Sequence, residues 1–169
     1  MFNPTYTIPL PKEPLQIIIR TGKGEDLGTL TTLLHESLPD DFNIIEDAAK
    51  CVKKWLTEMP DYIIVAEYNK KPIGVILVSP ETYPILDANL AMLCFLAVEQ
   101  TVRRRGVGKA LVTRVCEVLK KKGKTSMEVD TSATNIQARI FYTKTGFFPF
   151  WFSKNYMPKT HGIFYRINF

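Results

Sequence analysis

A short glycine-containing segment has the residue types that bind a phosphate group. Three arginines at 103–105 lead into Gly106, Val107 and Gly108, between an apolar run that ends at Val98 and a helix-like pattern. The first N–H groups of a helix have no partner within the helix, and the helix dipole makes that end partly positive. Glycine lets an anion come close to the backbone. The spacing therefore predicts an anion site where this helix begins.

Two common nucleotide-binding loops do not match this segment. A Walker loop needs a glycine five residues before its Gly-Lys pair and a Ser or Thr after it, but Arg103 and Ala110 stand at those positions. A dinucleotide-binding fingerprint needs a third glycine, and Leu111 stands there. The segment therefore belongs to neither class of loop.

Hydrophobic periodicity and turn residues predict the elements that position this segment. Residues 1–14 hold four prolines and are expected to form an extended or disordered arm before a single domain over 15–169. The order of the elements predicts a mixed sheet with helices packed against it. The predicted strands are 15–20, 62–68, 72–78, 89–98, 126–131, 147–152 and 163–169, and the predicted helices are 25–37, 46–59, 109–122 and 134–145.

Composition and charge narrow the class of protein. The chain is 46% hydrophobic, but its apolar runs are far shorter than the roughly 20 residues of a membrane helix, so no membrane span is expected. Three widely spaced cysteines argue against disulfides and a metal site and favour a cytoplasmic setting. Residues 103–124 hold nine Lys or Arg against one acid. This favours a small polyanionic ligand, with a nucleic-acid surface as the competing interpretation.

Two sequence blocks resemble a known family. Residues 93–112 resemble the pyrophosphate-binding motif of the GNAT superfamily of acetyl-CoA-dependent N-acetyltransferases, Arg/Gln-x-x-Gly-x-Gly/Ala. Residues 135–147 resemble the family's N-x-x-A-x-x-F-Y-x-x-x-G-F pattern. The resemblance implies an α/β (α+β) fold with a GNAT-like mixed, mostly antiparallel sheet of about seven strands and helices on both faces. It also implies acetyl-CoA as cosubstrate and no metal.

The resemblance implies roles for individual residues. Tyr142 matches the general acid that protonates the CoA thiolate, and a phenol of pKa about 10 can do so within hydrogen-bond reach. Asn135 would bond the cofactor's arm. A core aromatic and a helix cap are the respective alternatives. The backbone of Leu96, Ala97 and Val98 would pair with the pantetheine, and the pyrophosphate would be held by Arg103, Arg104, Arg105, Gly106, Val107, Gly108 and Lys109.

The general base is not identified by the sequence. The strand over 89–98 has no carboxylate, and Met92 lies near the position where the family often has Glu. Asp87 and Glu99 flank the strand and could act through water, or the amine could arrive neutral. Cys94 has no histidine nearby in sequence and is expected to be a small buried residue. Direct attack by the amine in a ternary complex is therefore predicted.

These features predict an N-acetyltransferase that acts on a primary amine of a small molecule, a peptide or a protein. A non-catalytic acyl-CoA-binding sensor or interaction module of the same fold is the alternative, because the strand lacks a carboxylate. Acidic residues within 39–47 and the aromatic residues Trp151, Phe152 and Tyr156 would suit a cationic amine. The aromatic strands near the C-terminus are compatible with a homodimer.

Overall fold

The computed structural model describes residues 15–81, 88–157 and 160–169, so the predicted arm over 1–14 lies outside the described residues. The described chain forms seven strands and four α-helices in the predicted order. The strands are β1 (Ile18–Thr21), β2 (Ile63–Tyr68), β3 (Lys71–Ser79), β4 (Leu90–Val98), β5 (Ser126–Ser132), β6 (Phe148–Met157) and β7 (Thr160–Asn168), and the helices are α1 (Leu27–Ser37), α2 (Ile45–Glu58), α3 (Val107–Lys121) and α4 (Ile136–Lys144).

All seven strands of the described chain form one sheet, in the order β1-β2-β3-β4-β5-β7-β6. Neighbouring strands run antiparallel except for β4 and β5, which are parallel. The predicted mixed, mostly antiparallel sheet is therefore confirmed. No helix of the described ranges is long and apolar enough to cross a membrane.

The parallel pair at the centre of the sheet is short. Leu90–Met92 pair with Ser126–Glu128, and β4 then continues to Val98 without β5 beside it. A bulge at Cys94 interrupts the pairing of β4 with β3 close to where the two parallel strands part. Bulges bend a strand and re-aim its side chains. The result is a gap in the sheet between the C-terminal half of β4 and β5.

The helices cover both faces of the sheet, as predicted. On one face, Val107, Leu111 and Val115 of α3 belong to a core that also contains Tyr142 of α4. On the other face, α1 and α2 pack over a second core that includes β2 and β3 side chains. The bulge changes the face of the sheet to which alternate β4 side chains point. Ala91 and Leu93, before the bulge, pack in the α3 core, whereas Phe95 and Ala97, after it, contact the α1–α2 core.

Strand β6 forms one edge of the sheet and exposes several aromatic side chains. Trp151 is 63% exposed, and Phe148, Phe150 and Phe152 are between 41% and 51% exposed. Edge strands that remain open to solvent present unpaired backbone groups. The homodimer stays a prediction at this edge.

Candidate active site

A cavity of about 820 Å³ lies beside the C-terminal half of β4. Its walls are the end of β4, the turn before α3, and α4. Among the twelve predicted site residues, Arg105 and Asn135 are not part of the lining. The predicted residues that do line it are Leu96, Ala97, Val98, Arg103, Arg104, Gly106, Val107, Gly108, Lys109 and Tyr142.

One end of the cavity has the backbone geometry of a helix N-terminus. Helix α3 begins at Val107, and the Ala110 N–H donates to the Gly106 carbonyl at 3.0 Å as its first helical hydrogen bond. The N–H groups of Val107, Gly108 and Lys109 precede that bond and stand at the positive end of the helix. Gly106 has a φ of 87°, in the left-handed region that glycine tolerates best. This geometry fits a diphosphate.

Cationic side chains lie around the same end. Arg103, Arg104 and Lys109 all line the cavity. The Arg103 Nε donates to the Val98 carbonyl at 2.9 Å, which fixes this side chain across the end of β4. Backbone N–H groups and cations at one helix end together suit a ligand with several negative charges.

Gly108 is needed for a close approach of two helices. A Cβ at this position would lie 2.9 Å from Cε2 of Phe141, whereas real Cβ atoms hardly ever come within 3.0 Å of another atom. Phe141 itself lines the cavity. The absence of a side chain at Gly108 therefore lets α4 form one wall of the site.

The exposed edge of β4 forms another wall. The Glu99 N–H donates to the Ile73 carbonyl at 2.9 Å, across the ladder with β3. Because backbone groups of an antiparallel strand point alternately to its two sides, Ala97 also faces β3, whereas Leu96 and Val98 face the gap. The expectation for Ala97 is therefore corrected: it lines the cavity, but its backbone groups are directed to β3.

Tyr142 is a core aromatic residue that also borders the cavity. It is 8% exposed, and its ring lies 5.4 Å from that of Phe147 and 5.7 Å from that of Tyr165, yet it also lines the cavity. Its hydroxyl makes no hydrogen bond to any residue within the described ranges. Burial, and then the charges of Asp130 and Asp41, raise its pKa well above the ordinary value. The phenol therefore holds its proton at neutral pH.

Asn135 has a structural role. Its Oδ1 accepts a hydrogen bond from the Ala138 N–H at 3.1 Å and caps the N-terminus of α4. Asn135 is therefore the N-cap of α4. The cofactor contact of Asn135 stays a prediction.

The structure does not strengthen the case for either general-base candidate named from the sequence, Glu99 or Asp87. Glu99 accepts hydrogen bonds from Thr101 at 2.8 Å and from Lys71 at 3.2 Å, which hold its pKa below the ordinary value. Asp87 lies outside the described residues. Burial raises the pKa of the Cys94 thiol, which agrees with the packing role expected for it.

Several lining residues were missed by the sequence reasoning. Gln137, Ile140, Phe141 and Lys144 lie at helical spacing on one side of α4, so helical periodicity could have identified them. Ser37 is different, because it comes from the end of α1 on the opposite face of the sheet. No local pattern marks that residue.

Comparisons with known proteins agree with this geometry. The chain is 25% identical over 142 residues to N-alpha-acetyltransferase 30 from Dictyostelium discoideum, which covers 84% of the chain and 72% of that protein. It is 29% identical over 107 residues to N-acetyltransferase 8 from Homo sapiens, covering 63% of the chain and 47% of the relative. The chain thus spans about half the length of most curated relatives it matches.

The fold comparison points the same way. The crystal structure of the ribosomal-protein-S18-alanine N-acetyltransferase from Escherichia coli superimposes with a TM-score of 0.71 at 19% identity, over 90% of this chain and 94% of that one. At that identity the likeness concerns the fold alone. The model of the acetyltransferase (GNAT) family matches residues 27–147. The chain therefore belongs to the acetyltransferase (GNAT) family.

Proposed function

We propose that this chain is a cytoplasmic acetyl-CoA-dependent N-acetyltransferase acting on a primary amine by direct attack in a ternary complex. The observation that carries the proposal is a single cavity that joins the start of α3, the open edge of β4 and the Tyr142 side chain. These three parts match the diphosphate, the amide-containing arm and the leaving sulfur of the cosubstrate. The bound cosubstrate would supply an acetyl group activated as a thioester.

Different groups of the chain would bind the diphosphate and the extended arm of the cosubstrate. The first N–H groups of α3, with Arg104 and Lys109, would hold the diphosphate. Leu96 and the N–H of Val98 would hydrogen-bond the extended arm as a neighbouring strand would, because these backbone groups face away from β3, whereas the Val98 carbonyl accepts from Arg103. Arg105 and Asn135 would act from outside the cavity, so we expect smaller effects on affinity from them.

Tyr142 would donate its proton to the sulfur as the C–S bond breaks. Without the donated proton, the thiolate is a poorer leaving group. Burial and two nearby carboxylates keep the phenol protonated in the free protein.

Polypeptide amines are the first acceptors to test. One relative of this chain is named for N-alpha-acetylation, and another, 32% identical over 81 residues, for acetylating an alanine of ribosomal protein bS18. The proposal also covers a primary amine of a small molecule. The acceptor panel should therefore contain short peptides and simple amines.

Thermal unfolding with acetyl-CoA, followed by an assay of released CoA thiol, tests the proposal. Acetyl-CoA at about 100 times its dissociation constant should stabilise the fold by roughly 2.7 kcal/mol. Thiol release that depends on an added amine should follow. Stabilisation without release by any amine would support the non-catalytic acyl-CoA-binding module instead, and the absence of stabilisation would contradict both.

A further inference from the structure

The C-terminal end of β4 has backbone groups that point away from β3. The Glu99 N–H donates to the Ile73 carbonyl at 2.9 Å, so the preceding residue, Val98, directs its backbone groups to the other side. Leu96, two residues earlier, faces the same side as Val98. The pairing of β4 with β5 ends at Met92. Within the described sheet, the N–H and carbonyl groups of Leu96 and Val98 therefore have no neighbouring strand.

One of these four groups already has a partner. The Arg103 Nε donates to the Val98 carbonyl at 2.9 Å. The chain turns back to this carbonyl because Gln100–Val102 form a single 3₁₀ turn after β4, and the Arg103 N–H donates to the Gln100 carbonyl at 3.4 Å. An extended ligand beside β4 can then pair only with both groups of Leu96 and with the Val98 N–H.

The donor atom of Arg103 indicates a role other than charge. Nε is the fourth atom of the side chain and has a single N–H, which the Val98 carbonyl engages. The side-on pair of donors, Nε with one Nη, is therefore not available to a phosphate. Glutamine is uncharged but has its amide N–H donors on the fourth side-chain atom as well. The motif that residues 93–112 resemble has Arg or Gln at position 103, and this donor is what the two residue types share.

We propose that Arg103 is a positioning residue: its Nε holds the last carbonyl of β4 and so sets the register in which the extended arm of the cosubstrate pairs with this strand. This inference rests on the proposed function. Groups that face one side of a strand recur at every second residue, about 7 Å apart. Because the Val98 carbonyl is engaged, the arm cannot shift by that step towards the end of β4. The thioester at the end of the arm is thereby held at one place in the cavity.

Two ligands separate the arm from the phosphates without knowledge of the acceptor and without turnover. CoA contains both parts, whereas 3′-phospho-ADP contains the nucleotide and its diphosphate without the arm. The ratio of their dissociation constants, measured by calorimetric titration, reports the contribution of the arm to affinity. The unchanged protein should bind CoA at least about tenfold more tightly than 3′-phospho-ADP.

Arg103→Gln and Arg103→Met separate the donor from the charge. Both variants lose the positive charge, but Gln keeps a nitrogen donor at the position of Nε, whereas Met has a methyl group there. Arg103→Gln should keep the ratio within about twofold of the unchanged protein. Arg103→Met should lower it at least about fivefold, within the range for the loss of one hydrogen bond.

Arg104→Gln is the matched control for the charge. Arg104 also lines the cavity, and its side chain makes no hydrogen bond within the described ranges. Its replacement should weaken the binding of both ligands and leave their ratio within about twofold of the unchanged protein.

The outcomes separate the two proposals. Equal ratios for Arg103→Gln and Arg103→Met, whether lowered or unchanged, would overturn the positioning role and leave the proposed function standing. Failure of the unchanged protein to bind either ligand would overturn the proposed function itself. Arg103 is exposed, so both variants should unfold in urea like the unchanged protein. If Arg103→Met does not fold, Arg103→Ser, whose side chain is too short to reach the carbonyl, should show the same loss.

Discussion

Replacing Gly108 by Ala tests whether the close approach of α3 to α4 shapes the anion-binding end. The added Cβ would lie 2.9 Å from Cε2 and 3.1 Å from Cζ of Phe141. Carbon atoms attract best at about 3.5 to 4.0 Å, so the overlap is at least about 0.6 Å. The Phe141 ring must move, and its centroid lies 5.6 Å from that of Tyr142. The ring that must move is therefore the direct neighbour of the proposed acid.

Two opposing terms set the effect on stability. Overpacking of this kind costs about 1 to 3 kcal/mol. Alanine is better than glycine within a helix by about 1 kcal/mol. The net loss for Gly108→Ala should therefore be about 0 to 2 kcal/mol. The dissociation constant of acetyl-CoA should rise at least about tenfold, because the moved ring forms part of the cavity wall.

Gly28→Ala is a matched control. Gly28 is the second residue of α1, as Gly108 is of α3, and nothing lies within 4 Å of the Cβ it would gain. This variant should be more stable than the unchanged protein by about 0.5 to 1 kcal/mol and should bind acetyl-CoA unchanged. Urea unfolding and calorimetric titration measure both quantities. If Gly108→Ala matched Gly28→Ala in both, the packing argument would be refuted.

Two further predictions concern side chains outside the cavity. Burial alone would raise the pKa of Asp26, but hydrogen bonds from Arg20 and the Lys23 N–H hold it below the ordinary value. The stability from this pair is therefore present above about pH 4 and is lost as the pH falls further. Asp26→Asn should cost about 2 to 3 kcal/mol at pH 7 and remove that acid dependence in urea unfolding; an unchanged dependence would exclude Asp26 as its source. Asn135→Ala should cost about 1 kcal/mol through loss of its cap on Ala138, and a more than about threefold weaker acetyl-CoA affinity would place Asn135 in the cofactor site.

Local sequence patterns predicted the secondary-structure elements well where nearby residues determine the backbone conformation. The hairpin between β2 and β3 was predicted at residues 69–71 without an Asn-Gly pair, and Asn69 and Lys70 both adopt positive φ there. Helix α3 begins at Val107, two residues before the predicted start. The apolar pattern begins later, and the left-handed conformation of Gly106 sets the true beginning.

Long-range pairing decided the parts that the sequence did not predict. Strand β6 extends to Met157, beyond the predicted end at Phe152, because pairing with β7 continues past the aromatic run. The direction of the Ala97 backbone depends on its register with β3. Ser37 lines the cavity only because α1 packs on the other face of the sheet. None of these relations leaves a periodic signal in one segment.

Tyr142→Phe tests the central claim most directly. The change removes only the hydroxyl, which makes no hydrogen bond to the described residues, so stability should stay within about 1 kcal/mol of the unchanged protein. The dissociation constant of acetyl-CoA should change less than about twofold, whereas kcat should fall by about 10² to 10⁴, the usual contribution of a positioned acid. An unchanged kcat at every pH, with an acceptor that the unchanged protein acetylates, would contradict the account.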